Sequence, residues 1–356
     1  MSRRIKIAAA QVGAVNKDAS RQETLARLLS LLDQAHNQGV QLLVYPELTF
    51  TTFFPRHLLT TEQLEPFLET SGITTSPNTR PLFDKASTYK IDLVVGYAER
   101  TPEGKVYNTC VYYSAARKGI VSKYRKIHLP GTTEPFADPD ATNQLEKRYF
   151  TPGDLGFRAF RALGLVPSPL TLSFSTETPK GPVTSKQDQG KGDAILGMLI
   201  CNDRRWPEAW RALALQGAEI VACGYNTGAN MPALWGEGAE ALSAEEAEER
   251  ALFHNRLVQQ GNSYMNSCFS VSAARCGVDD GVERFKLIAG SAIVDPLGRV
   301  VAEAKTQGDE LVVAKVDLAE CAVGRAKTFD FERHRRVEAY GLIGTQTGVV
   351  EPELLG

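Results

Sequence analysis

The stretch that most limits what this chain can fold into is Asp193-Ala-Ile-Leu-Gly-Met-Leu-Ile-Cys-Asn-Asp-Arg-Arg-Trp-Pro-Glu208. Ile195–Ile200 is an unbroken apolar run of strand length, the pattern of a strand covered on both faces in a layered α/β protein. Cys201 ends it, and a polar turn follows. Pro207 stands at a first helical position, and Trp210, Leu213, Ala214 and Leu215 then recur at helical spacing up to Gly217. Cys201 therefore sits in a strand-to-helix corner, where unpaired backbone N–H groups and the positive helix end favour a thiolate and an oxyanion. An inert buried cysteine fits the same position, since free thiols are among the most buried side chains.

Strand and helix signals alternate on both sides of this stretch. Ile5–Val12, Val40–Tyr45, Leu93–Ala98, Val106–Tyr113, Gly119–Lys123, Glu219–Cys223, Phe269–Ala274, Ala289–Val294 and Leu311–Val316 read as strands. Ser20 and Glu23 form a capping box ahead of Leu25, Leu28, Leu29, Leu32 and Ala35. Ser243 and Glu246 form another, opening a helix to about Gln260. Helical stretches are also expected near Thr61–Glu69 and Asn78–Tyr89. With no internal repeat and no linker, the whole of residues 1–356 reads as one two-sheet α/β domain. Val166–Lys191, rich in Pro, Ser, Thr, Gly and Lys, reads as a surface insertion lacking periodicity. The basic, aromatic tail from Gly324 is expected to dock on the body or on a second subunit.

Several function classes are disfavoured. The net charge of -2 gives no footprint for nucleic acid. Six cysteines without a CxxC pair and five scattered histidines predict reduced thiols and no metal site. No phosphate-cradling glycine motif occurs, so no nucleotide cofactor is expected. The N-terminus lacks an apolar signal core and no run of ~18 apolar residues exists, so a cytoplasmic protein that spans no membrane is expected.

Two further residues share the placement of Cys201 at a strand's end. Glu47 follows Val40–Tyr45 and Pro46, flanked by Tyr45 and Leu48. Lys126 lies in Tyr124-Arg-Lys-Ile-His-Leu-Pro130 at the end of a hairpin. A rim glutamate and a solvated basic face are the plain alternatives. A thiol needs a base, however, and an acyl-transfer intermediate needs a cation or donors against its oxyanion. A carboxylate, an ammonium and a thiol meet both needs.

At these residues the chain resembles the nitrilase, or carbon–nitrogen hydrolase, superfamily, whose catalytic set is Glu, Lys and Cys. The matching pieces are Tyr-Pro-Glu47-Leu, Tyr-Arg-Lys126-Ile-His-Leu-Pro and Ile-Cys201-Asn-Asp-Arg-Arg-Trp-Pro-Glu. More narrowly it is similar to the N-carbamoyl-D-amino-acid amidohydrolases through Pro-Glu-Leu-Thr-Phe-Thr-Thr-Phe-Phe-Pro-Arg56, Leu-Glu-Lys-Arg-Tyr-Phe150 and Gly-Tyr-Asn-Thr227. The resemblance implies a four-layer α-β-β-α sandwich, assembly as a homodimer or homotetramer through outer helices and tail, and no cofactor. It implies that Glu146 is a second carboxylate of the site. It also gives Arg204 and Arg205 a reason to lie beside the nucleophile, as guanidinium clamps for a substrate carboxylate, with one of the two reaching it directly. Asn202, His128, Asn226 and Thr227 become further pocket residues, and an N-carbamoyl amino acid the small-molecule partner.

The sequence departs from that pattern at Gln144, where the family carries a histidine two residues before the second glutamate. The loop after Thr227 also lacks the family's histidines. The rival readings are a β-ureidopropionase, an aliphatic amidase or a nitrilase of the same superfamily, and, more distantly, a non-catalytic scaffold on this fold.

Overall fold

Alternation of side chains along the strands decides the layering. The computed structural model describes residues 3–166, 175–178, 181–184, 192–235 and 242–353. The first part of the chain lays down β1 (Arg4–Gln11), β2 (Leu42–Val44), β3 (Leu68–Glu69), β4 (Asp92–Arg100), β5 (Val106–Ser114) and β6 (Gly119–Arg125). β1, β2 and β4 run parallel, and β5 and β6 return antiparallel. A second sheet takes β7 (Phe160–Ala162), β10 (Ala194–Ile200), β11 (Ile220–Tyr225), β12 (Phe269–Ala274), β15 (Ala292–Val294) and β16 (Val300–Glu303). Two ribbons stand apart: β8 (Ser175–Thr178) with β9 (Gly181–Thr184), and β13 (Cys276–Val278) with β14 (Lys286–Ile288). Finally β17 (Glu310–Asp317) crosses back and pairs antiparallel with β1, from Arg4 opposite Asp317 to Gln11 opposite Glu310.

Ile5, Ile7, Ala9, Leu42, Val44 and Val94 face Leu196, Met198, Ile200, Ile220, Ala222 and Val271 in the core between the sheets. Their neighbours Ala8, Ala10, Leu43, Leu93 and Val95 point outward to Leu28, Leu31, Leu32, Leu82 and Phe83. Those belong to α1 (Arg21–Asn37) and α3 (Arg80–Tyr89), which follow the short α2 (Thr61–Leu64) and its one-turn continuation. On the far side Leu199, Val221 and Cys223 pack on Ala209, Trp210 and Leu213 of α5 (Pro207–Leu215). A Cβ on Gly197 would lie 2.6 Å from Leu213 Cδ1, so the glycine lets α5 close onto β10. α6 (Ala244–Asn266) lies beside it, and α4 (Glu146–Tyr149) sits at the site end. The α-β-β-α sandwich expected from the sequence is the fold observed.

Several boundaries differ. The expected helix over Thr61–Glu69 stops at Leu64, because Pro66 has no N–H to continue it. A 3-10 turn follows, and Leu68–Glu69 pairs with β4. The strand expected over Ala289–Val294 begins only at Ala292, since Ala289 and Gly290 take positive φ of 59° and 82°. The helix opened at Ser243 runs past Gln260 to Asn266. The insertion expected as an aperiodic surface loop over Val166–Lys191 contains the β8–β9 ribbon, while residues 167–174, 179–180 and 185–191 lie outside the described residues.

The tail from Gly324 starts inside α7 (Glu320–Ala326) and continues through α8 (Phe331–His334) and α9 (Gly341–Thr345). Its base docks: the Arg325 guanidinium donates to Gly217 O and Ala218 O, Phe329 meets Tyr264 edge-on, and Arg211 lies 4.3 Å over Phe331. From Val337 to Glu353 every residue is exposed. No described helix is long and apolar enough to cross a membrane.

Candidate active site

Three strand ends deliver the central groups. Glu47 lies in the turn after β2, Lys126 directly follows β6, and Cys201 directly follows β10. The structure brings all three together with Glu146, the first residue of α4, and none is more than 3% exposed. Lys126 Nζ lies 2.8 Å from Glu47 Oε1 and 2.6 Å from Glu146 Oε2. Cys201 takes a left-handed φ of 48°, which costs a residue with a Cβ on the order of 1 kcal/mol or more and turns the thiol off the strand line. Its Sγ lies 3.3 Å from Asn226 O.

The turn carrying Glu47 is wedged between the sheets. A Cβ on Gly96 of β4 would stand 2.9 Å from Glu47 Cα, and one on Gly224 of β11 would stand 2.6 Å from Glu47 N. Only hydrogen fits at either position. The carboxylate is then held by donors: Asn108 Nδ2 to Oε1 at 2.7 Å, and Asn226 N and Nδ2 to Oε2 at 3.0 and 3.1 Å.

Electrostatics follow from this closure. Burial opposes the Lys126 charge, but Cys201, Glu146 and Glu47 around it outweigh burial and raise its pKa, so the ammonium persists. Burial first, and Glu47 second, raise the Cys201 thiol against the pull of Lys126 and Arg204, so it rests protonated. Burial lifts Glu146 from 4.5 to about 7, with Lys126 opposing and Glu47 adding.

The predicted binding residues separate into two groups. Arg204 is fully enclosed: Nε donates to Asn255 Oδ1, Nη1 to Cys201 O at 2.7 Å and Nη2 to Thr227 Oγ1 at 2.9 Å, with the guanidinium 4.3 Å over Tyr225. These partners make Arg204 a brace on the Cys201 carbonyl, so of the two arginines expected to offer one direct carboxylate contact it is not Arg204 that is left open to make it. Arg205 is exposed, its Nη1 on Asn202 Oδ1 at 3.1 Å. Asn202 Nδ2 donates to His128 O. His128 is half-buried, stacked 4.7 Å from Trp206, with Nδ1 2.8 Å from Asp203 Oδ1. Asn226 and Thr227 are used in support, on Glu47 and Arg204 respectively.

Two supporting residues, Asp203 and Asn108, escaped the sequence reading, and a third, Gln144, was marked there only as a departure from the family pattern. Asp203 is fully buried and gathers Tyr124 Oη, Ile200 N and His128 N, tying the end of β6 to the corner. Asn108 sits as an amide within the apolar and aromatic run of β5, which is the signal that could have marked it. Gln144 Nε2 donates to Glu146 Oε1 at 2.7 Å. Beside Gln144 opens a small cleft lined by Phe53, Arg56, Met231, Phe285 and Leu287. Among the described residues no cluster of His, Cys, Asp and Glu could hold a metal ion. All six cysteines are unpaired and buried.

A buried thiol at a strained strand-to-helix corner, facing an ammonium between carboxylates inside an α-β-β-α sandwich, describes a hydrolase of amide-like bonds. The chain belongs to the carbon-nitrogen hydrolase family, whose sequence model matches residues 6–326. It is 29% identical to the nitrilase of Pyrococcus abyssi over 87% of this chain and 90% of that one. It is 24% identical to the N-carbamoylputrescine amidase of Oryza sativa over 97% and 96%, and 26% identical to the citrullinase of Francisella tularensis over 94% and 96%. Its backbone is similar to that of a carbon-nitrogen hydrolase from Helicobacter pylori, with TM-score 0.70, 24% identity and coverage of 96% and 99%.

Proposed function

We propose that this enzyme hydrolyses the carbamoyl (ureido) group of N-carbamoyl-D-amino acids to the D-amino acid, carbon dioxide and ammonia. The observation that carries the chemistry is the convergence of Cys201 with the Lys126 ion pairs to Glu47 and Glu146. In this reading Glu47 takes the Cys201 proton as Sγ attacks the ureido carbonyl carbon. Lys126 Nζ and a backbone N–H of the corner stabilise the oxyanion. Collapse breaks a carbon–nitrogen bond, Glu47 returns the proton to the departing amine, and a thioester remains. Water attacks that thioester, giving up a proton to Glu47 while Glu146 steers protons; Glu47 passes the proton to the leaving Cys201 sulfur, and the acyl group departs as a carbamate that loses carbon dioxide and frees the remaining nitrogen.

Two relatives, an N-carbamoylputrescine amidase and a citrullinase, support a carbamoyl-bearing substrate by their names. The D-amino-acid preference rests on the motif resemblance around Arg56, Phe150 and Thr227. With Arg204 committed as a brace, Arg205 is the guanidinium left to meet a substrate carboxylate. The test is a panel of N-carbamoyl D- and L-amino acids, 3-ureidopropionate, N-carbamoylputrescine, amides and nitriles. Fastest turnover of the D-ureido acids supports the proposal, and fastest turnover of any other class replaces it. Cys201→Ala should abolish turnover on all of them.

The same reading includes a homodimer or homotetramer in the cytoplasm. α6 is inverted: its buried residues are Asn255, Gln259, Asn262, Ser263 and Asn266, while Phe253, Leu257, Tyr264 and Met265 face outward at 40–60% exposure. An apolar outer stripe next to the docked tail base suits a second copy.

A further inference from the structure

Glu146 has one oxygen for each of two neighbours. Its Oε2 takes the Lys126 ammonium at 2.6 Å, with Asn108 Nδ2 at 3.5 Å, and its Oε1 takes Gln144 Nε2 at 2.7 Å. Gln144 is itself fixed from both sides. Its carbonyl accepts from Thr132 N at 2.8 Å, and Leu145 N donates to Pro55 O at 2.8 Å. Gly131, at φ 77°, presses so close that a Cβ there would fall 1.8 Å from Gln144 O. The side chain is buried, lining the cleft on one side and meeting Glu146 on the other.

We infer that Gln144 is a positioning residue, a donor that does not titrate and that fixes the plane of the Glu146 carboxylate. This rests on the catalytic role proposed above for Glu146. Two donors on opposite oxygens leave the carboxylate no free rotation, and a donor to the ionised form always favours that form. The charged and titratable groups facing Glu146 are Lys126 from the end of β6, Glu47 from the turn after β2, and the Cys201 thiol from the corner. Arg56 lines the same cleft as Gln144 but is engaged with Asp279, and Lys147 and Arg148 are exposed. Gln144 contributes the neutral donor on Oε1, and its hydrogen bond pulls against the burial that lifts Glu146 to about 7. A histidine at this position would change its own charge across the same pH range; glutamine keeps the donor constant.

The experiment compares Gln144→Leu, Gln144→Met and Gln144→His by pH profiles of kcat and KM. Loss of the donor should move the acid limb of kcat/KM up by about one pH unit and lower kcat at neutral pH roughly tenfold to a hundredfold, with KM within about twofold. Gln144→His should recover most of kcat and add an ionisation to the profile. A Leu or Met variant that melts like wild type and keeps the wild-type profile overturns the inference. So does a change confined to KM, which would make Gln144 a substrate contact. Infrared titration of the carboxylic-acid stretch, with Glu146→Gln as control, reads the Glu146 protonation without substrate. A shifted carboxyl titration with no turnover of any carbon–nitrogen substrate sinks the functional reading and keeps the positioning role. An unshifted titration with normal turnover does the reverse.

Discussion

Lys126→Met removes the cation between two buried carboxylates while keeping the length of the side chain. Removing one partner of a buried ion pair costs about 3–5 kcal/mol, because the other charge is left uncompensated. Part of that cost depends on pH. Glu146 sits at about 7 in the folded enzyme against 4.5 for an ordinary glutamate. A folded value above the unfolded one gives stability that is present below 4.5 and lost as pH rises through 7. Without the ammonium the folded value climbs further, so at pH 8 the variant still holds a proton that the wild type has released. At pH 8 that difference is at most about one unit, worth about 1.4 kcal/mol. At pH 5 both proteins are protonated at Glu146, and this contribution vanishes. Urea unfolding should therefore show a loss of about 3–5 kcal/mol at pH 8 that is smaller at pH 5 by up to about 1.4 kcal/mol. A second substitution, Glu146→Gln, should restore part of the loss at pH 8. A destabilisation equal at the two pH values, or one under about 1 kcal/mol at pH 8, would refute the buried-cluster reasoning, since only a solvated pair behaves that way. Turnover of the single variant should fall at least a hundredfold to a thousandfold with the oxyanion cation gone.

Gly224→Ala pushes a methyl to within 2.6 Å of Glu47 N; it should cost about 1–3 kcal/mol and more than tenfold in kcat, read by melting and by initial rates. Arg205→Ala should raise KM for carboxylate-bearing substrates far more than for neutral amides, whereas Arg204→Ala should lower kcat on both and destabilise the fold. Equal effects of Arg205→Ala on the two substrate classes would remove the carboxylate contact. Phe253→Glu with Leu257→Glu should shift the assembly toward monomer in light scattering without unfolding it, and an unchanged mass would exclude the α6 face as the interface.

Much of this was legible because local chemistry and tertiary context agree. The apolar run of β10 is buried almost throughout, so its period matters less than its length and composition. The corner at Cys201 is written in the sequence by Ile200 before it and Pro207 after it. What was not legible depends on direction within a turn. Arg204 and Arg205 are chemically equal in sequence, yet one residue's rotation puts the first under Tyr225 and the second in solvent. The polar inner face of α6 also inverts the usual rule, since its buried amides bond Arg204 and neighbouring carbonyls instead of filling an apolar core. A Pro at 66 outweighed the helical pattern around it, as a missing N–H does.

The glycines explain how residues from two sheets form one site. Stacked sheets stand roughly 10 Å apart, and β2 and β6 lie in one while β10 lies in the other. A lysine can reach across part of that gap on its own stem, but a cysteine cannot, and a glutamate reaches only if its backbone leaves its sheet. Gly96 and Gly224 face the Glu47 turn from opposite layers and let it sink into the seam, where Asn108 from one sheet and Asn226 from the other grip the same carboxylate. The convergence of the three chemical groups is thus encoded less by those groups than by missing side chains opposite them. Substituting either glycine should therefore damage catalysis more than it damages folding.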